Sequence, residues 1–144
     1  MDTRDINYFL RKVKIFCGTY PRDCLPTRIK KRPAALVVNT HPASKPGEHW
    51  TAIYLDKDGR GQYFDSYGLR PLSEDVIEFL NQNCPKGWNH NTITLQHILS
   101  QRCGQFCIIY IKFRNAGFSL EDFHSCFKPH ALQNDAVLDH FMKQ

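Results

Sequence analysis

The sequence contains no apolar run near the ~20 residues that a membrane-crossing helix needs, which excludes a helical membrane protein. It has no internal repeat, low-complexity tract or linker, so a collagen, a long coil or a disordered chain is excluded as well. Neither G-x-G-x-x-G nor G-x-x-x-x-G-K-[ST] occurs, and nucleotide binding therefore has no motif to rest on. Paired C-x-x-C spacing is missing. A zinc site would have to be built from Cys103 and Cys107 with His90 or His97, a weak pattern, and no metal is expected. The first residues, Met1-Asp2-Thr3-Arg4-Asp5, carry acidic groups and no apolar stretch, and are not expected to be a signal peptide.

What is present fits one domain over residues 1–144, with 42% hydrophobic and 23% charged residues. A chain of that size buries roughly 70% of its unfolded surface and can build a core without staples. The formal charge is +5, from 19 basic and 14 acidic residues, with seven histidines in reserve. Six cysteines stand at 17, 24, 84, 103, 107 and 126. They amount to about 4% of the chain, below the density of a disulfide scaffold, and free thiols in a reducing intracellular compartment are expected.

Apolar periodicity predicts an amphipathic helix over 2–16 through Ile6, Phe9, Leu10, Val13 and Phe16, capped by Asp2 or Thr3 and ended at Cys17-Gly18-Thr19-Tyr20-Pro21. Ala34 to Asn39 reads as a buried strand. Trp50–Leu55 and Gln62–Asp65 flank an Asp58-Gly59 turn and read as a hairpin. Ser73 opens a second helix with a stripe of Val76, Ile77 and Leu80, and Leu72 is placed to staple onto Ile77. Thr92–Leu95 reads as a further strand. The run from Cys103 to Phe113 is apolar on almost every side and fits either a buried helix or a central strand. Weaker helices follow after Ser119 and from Asn134. Helices at both ends around three to five mostly sequential strands predict an α+β domain.

Several polar residues fall where elements begin or end. His49 opens the first hairpin strand and Asp65 closes the second, so the two lie at neighbouring edges. They share sequence parity and face one side if the pairing axis passes through Asp58. An aspartate beside a histidine ring fixes its tautomer and stabilises the imidazolium. At the start of a helix, Cys103 would have its thiolate favoured by the dipole, with Arg102 adjacent and Gly104 leaving room for a substrate backbone. Gln96 ends the preceding predicted strand, and its amide can join the Cys103 N–H in meeting an oxyanion. Each residue alone also has a structural reading: Cys107 as a packed thiol, Asp65 as a turn cap, a lone histidine as an exposed or core group.

The order His49-Trp50, Asp65, Gln96, Cys103-Gly104 resembles the adenain-like (adenovirus-protease-like) cysteine proteases and, more distantly, the SUMO- and ubiquitin-like-protein-specific proteases of the same clan. Gly18-Thr19-Tyr20, Val38-Asn39-Thr40, Tyr63-Phe64-Asp65-Ser66-Tyr67-Gly68 and Cys103-Gly104-Gln105-Phe106-Cys107 carry the likeness, which spans roughly residues 16–115. The resemblance implies an α+β cysteine-protease fold, in which a mixed or antiparallel central sheet bears the His and the acid and a buried helix bears the cysteine. It implies Cys103 as nucleophile, His49 as general base and then acid, and Asp65 as its orienter. Gln96 would be the oxyanion donor and Trp50 a shield for the histidine. The implied substrates are viral precursor proteins cut at glycine-containing sites, by a monomer with no membrane partner, in a host nucleus or a virion.

DNA and a viral peptide serve as activators in the adenain-like group. Arg28, Lys30, Lys31 and Arg32, with Arg11, Lys12 and Lys14, are candidate phosphate contacts; a solvated basic surface explains them equally well. Residues 91–95 contain no cysteine and Cys84 is the nearest upstream thiol, which argues against a disulfide-linked peptide. The chain is short beyond the catalytic cysteine, and residues between Gln96 and Cys103 are bulkier than is usual in the group. An isopeptidase for ubiquitin-like tails, a clan-related acyltransferase and an inactive binding module are the alternatives.

Overall fold

The computed structural model describes residues 1–45 and 49–144; part of the turn-rich stretch 41–48 lies outside them. Helix α1 (Thr3–Leu10) begins at Asp2, whose carboxylate accepts from the Asp5 N–H while the Asp5 carboxylate accepts from the Asp2 N–H. The helix is shorter than its periodicity predicts. Val13 N–H bonds to the Leu10 carbonyl and Phe16 N–H to that of Val13, so the apolar spacing continues through single turns rather than an α-helix.

Among the described residues five strands form one sheet in sequential order: β1 (Phe16–Pro21), β2 (Ala34–Asn39), β3 (Trp50–Leu55), β4 (Gly61–Phe64) and β5 (Trp88–His90). The outer pairs, β1–β2 and β4–β5, are parallel and the inner pairs antiparallel. Two sequence expectations need correction. Residues 17–21, expected to end α1, are an edge strand, because their partners lie on β2, far along the chain. Thr92–Leu95, expected as a strand, joins no ladder: the Leu95 N–H bonds to the Ser66 carbonyl and the Thr94 hydroxyl to that of Tyr67. The fifth strand is Trp88–His90 instead.

Every residue of β2 is buried because both sheet faces are covered. Ala34, Leu36 and Val38 meet helix α2 (Glu74–Asn83) through Val76, Phe79 and Leu80. Ile77 is only half-buried and Leu72 is 76% exposed, so the expected staple does not form. Ala35, Val37, Ala52 and Phe64 meet helix α3 (Cys103–Asn115) on the other face. α3 is the run that periodicity left open. Its seven buried residues are enclosed by the sheet and by α1, α4 (Leu120–Ser125) and α5 (Asn134–Met142), so no polar stripe is needed. Tyr110 stacks on Phe64 at 4.5 Å between centroids, fixing α3 over β4. Among the described residues no helix is long and apolar enough to cross a membrane.

Candidate active site

The β3–β4 register pairs Ala52 with Phe64 and Leu55 with Gly61, which puts the axis on Asp58. Gly59 takes the positive φ of 93° that the turn requires. Continued outward, this register sets Asp65 opposite Thr51 and Tyr67 opposite His49. Same-parity residues at the open end of the hairpin therefore share a face without a bulge.

His49 Nε2 lies 3.0 Å from Asp65 Oδ1. A carboxylate only accepts, so Nε2 carries the proton and Nδ1 is left for the Cys103 thiol. Both partners are mostly buried, with 17% and 6% of their side chains exposed. Asp65 Oδ1 also accepts from the Tyr67 N–H at 2.8 Å, and the Tyr67 ring stacks on His49 with centroids 5.0 Å apart. The β-ladder ends before Asp65, and the side chain of Asn91 takes its place. Asn91 Oδ1 accepts from the Asp65 N–H and Nδ2 donates to the Asp65 carbonyl.

Cys103 is the first residue of α3, half-buried beside His49. Burial pushes its thiol pKa up, but hydrogen bonding to His49 and to the backbone of Trp50 and Gly104 outweighs it, and the net shift is downward. Burial likewise disfavours the His49 cation; hydrogen bonds to Asp65 and Cys103 overcome this and raise its pKa to about 9. Both shifts run in the direction that favours a thiolate–imidazolium pair. Arg102, expected to assist the thiolate, instead pairs with Asp139 of α5 at 3.0 Å.

Gln96 is fully buried. Its Oε1 accepts from the Ser66 hydroxyl, its Nε2 donates to the Ser100 carbonyl at 2.9 Å, and it borders the same cleft as Cys103. The cleft measures about 620 Å³ and is also lined by His49, Trp50, Tyr67 and Gly104, with Met1 to Thr3 along one side. Trp50 Nε1 donates to the Met1 carbonyl at 3.1 Å. A Cβ on Gly104 would stand 3.0 Å from Met1 Sδ and 3.2 Å from Trp50 Cδ1, so the room left by this glycine is taken up by those side chains.

The structure thus brings His49, Gln96, Cys103, Trp50 and Gly104 into one cleft, with Asp65 buried and hydrogen-bonded to His49. Tyr67 follows from the parity argument that found Asp65. Asn91 and Ser66 carry no local signal, since their partners Asp65 and Gln96 are distant in sequence, and Ser100 meets Gln96 through a backbone carbonyl, which any residue type supplies.

The other cysteines lie apart. Cys107 is fully buried with its thiol pKa raised by desolvation, so the i, i+4 pair does not offer two ligands to one ion. Cys84 is buried against Gly61, and Cys17 and Cys24 are exposed. Among the described residues no group of three His, Cys, Asp or Glu side chains is arranged to hold a metal. Arg28, Lys30 and Arg32 border a second concavity at the turn end of the hairpin, about 20 Å of strand from His49. Arg32 is committed there, donating to the carbonyls of Asp56, Asn83 and Arg60, while Arg28, Lys30 and Lys31 are exposed.

No protein-family profile matches the chain. It is 29% identical to a cysteine protease of African swine fever virus over an alignment of 143 residues, covering 87% of the chain and 51% of that protein. The crystal structure of the African swine fever virus protease superposes with a TM-score of 0.57 at 28% identity, over 76% of the chain and 43% of the protease. Two bacterial structures share the fold. ChlaDub1 of Chlamydia trachomatis superposes with a TM-score of 0.55 at 17% identity, over 76% of the chain and 59% of its own length. The central domain of an uncharacterized Legionella pneumophila protein gives 0.54 at 18%, over 99% and 94%. The chain spans about half the length of the curated relative it matches. In sequence and in fold it is thus similar to the African swine fever virus cysteine protease, which bears out the resemblance to adenain-like proteases read from its motifs.

Proposed function

We propose that the chain is a cysteine endopeptidase domain that cuts precursor proteins at glycine-containing sites, with Cys103 as nucleophile. The observation that carries this reading is the contact of His49 with both Asp65 and Cys103, with the His49 pKa raised and the Cys103 pKa lowered. The Cys103 thiolate adds to the scissile carbonyl, and the resulting oxyanion is met by the Cys103 N–H and the Gln96 amide. As the tetrahedral intermediate collapses, the C–N bond breaks and protonated His49 gives its proton to the leaving amine. Water, deprotonated by the now neutral His49, adds to the thioester, and Cys103 departs as thiolate. Asp65 keeps Nε2 protonated throughout, which directs Nδ1 at the sulfur. A free thiolate nucleophile needs a reducing compartment.

A viral relative favours precursor proteins as substrates. Cleavage of ubiquitin-like tails uses the same groups and is the second reading, favoured by the fold shared with ChlaDub1. Profiling the purified chain on a peptide library beside SUMO and ubiquitin fusions separates the two. Cleavage of glycine-containing peptides, abolished by Cys103→Ala, supports the endopeptidase; turnover confined to the fusions supports the isopeptidase. Equal cleavage by Cys103→Ala would sink both.

A further inference from the structure

The loop between Gln96 and α3 lacks the support that loops usually draw from the core. Its two large apolar residues, Ile98 and Leu99, are 82% and 83% exposed, so burial does not hold it. Polar ties to the C-terminal helix do. Ser100 Oγ donates to Asp135 Oδ1 at 2.8 Å and accepts from the Arg102 N–H at 3.2 Å, so both capacities of the hydroxyl are used and its rotor is set. Arg102 pairs with Asp139 through Nε at 3.0 Å and through Nη2 at 3.1 Å. Fully buried Asn134 donates to the Leu95 carbonyl at 3.0 Å, just ahead of Gln96. α5 is itself docked on the core by fully buried Leu138. The Ser100 carbonyl, placed by these ties, is the acceptor that orients the Gln96 amide.

Resting on the reading of Cys103 as nucleophile, we propose that Asp135 and Asp139 are positioning residues for acyl transfer. They hold the 97–102 loop so that one Gln96 N–H is occupied by Ser100 and the other is presented to the oxyanion. Ser66 holds the Gln96 Oε1 and the Ser100 carbonyl fixes the amide from its other end, so loosening that carbonyl misaims the remaining N–H, and an oxyanion donor contributes only when it is already aimed. The competing reading is that Asp135, in the first turn of α5, merely favours the helix dipole. Asparagine separates the two, since it drops the charge and keeps the acceptor.

The test is steady-state peptide cleavage by the full 144-residue chain. Asp135→Ala and Ser100→Ala should each lower kcat about tenfold with KM nearly unchanged, a fraction of the loss seen on deleting an oxyanion donor. The double variant should be no worse than either single one, because both cut one link. Asp135→Asn should recover kcat to within about twofold of wild type, and Asp139→Ala should fall in the same direction. Alkylation of Cys103 by iodoacetamide involves no oxyanion and should keep its wild-type rate in all five. Unchanged kcat in Asp135→Ala, multiplying losses in the double variant, or alkylation falling in parallel with kcat overturns the proposal. Should Cys103→Ala cleave like wild type, the protease reading falls and takes this one with it. A wild-type rate for Asp135→Ala beside an inert Cys103→Ala removes the positioning role alone.

Discussion

Asn91 grips Asp65 by both backbone polar groups, accepting from its N–H at 2.9 Å and donating to its carbonyl at 2.7 Å. The side chain stands in for a strand residue where the β4–β5 ladder has ended, and so fixes the acid that faces His49. Asn91→Ala leaves the buried Asp65 N–H unpaired, at a cost of about 1–3 kcal/mol, while the Asp65 carbonyl keeps the Gly68 N–H at 2.8 Å. The melting temperature and kcat/KM should fall together. Wild-type values of both, from a thermal melt and a progress curve, would show that Asp65 needs no such clamp.

Asp65→Asn tests the electrostatics of the pair. The carboxylate orients His49 through its Nε2–H and stabilises the imidazolium, whose pKa is raised to about 9 and whose Nδ1 proton is the one lost. Activity should follow a bell whose basic limb lies there. The variant should lose at least about 100-fold in kcat, and its basic limb should move to lower pH. In stability the same linkage has a definite sign. The raised His49 pKa supports the folded state fully below its unfolded value of 6.5, and that support is lost as pH rises through about 9. The stability gap between wild type and His49→Ala should therefore shrink over that window. A pH–rate profile unaffected by Asp65→Asn removes Asp65 from the triad.

Gly61 tests the face of the sheet that α2 covers. A Cβ there would lie 2.3 Å from Cys84 Sγ, so Gly61→Ala overpacks the core and should cost about 1–3 kcal/mol. Cys84→Ala removes the obstructing sulfur, and the double variant should melt above Gly61→Ala alone. Additive destabilisation, read by thermal melts of the three variants, would contradict this packing.

Arg28, Lys30 and Lys31 are exposed at the turn end of the hairpin, while Arg32 is tied to three backbone carbonyls. If the first three hold phosphates of duplex DNA, log K should fall by roughly 2.7 per decade of salt. Affinity that does not change with salt assigns the residues to a solvated surface.

His49 and Asp65 were legible in the sequence because they flank hairpin strands whose pattern is local, and the roles of Cys103 and Gln96 were legible through the family resemblance. Parity across the Asp58 turn puts His49 and Asp65 on one face, and Cys103-Gly104 marks the start of an apolar run. Pairings between distant segments were not legible. Residues 17–21 carry a Gly-Thr-Tyr-Pro sequence that reads as a stop, yet β2 captures them as a parallel edge. Thr92–Leu95 has strand composition, yet its polar groups go to Ser66 and Tyr67. The ties from Ser100 and Arg102 to α5 join side chains 35 and 37 residues apart and have no local signature.

The central claim is that Cys103 is a thiolate because His49 holds the proton. Peptide-resolved alkylation by iodoacetamide across pH measures this directly, with exposed Cys17 and Cys24 as internal references whose thiol pKa values are raised by desolvation. Cys103 should react at pH values where Cys17 and Cys24 are silent, and His49→Ala should move its midpoint upward. Cys103 titrating together with the reference thiols, with no response to His49→Ala, would contradict the account.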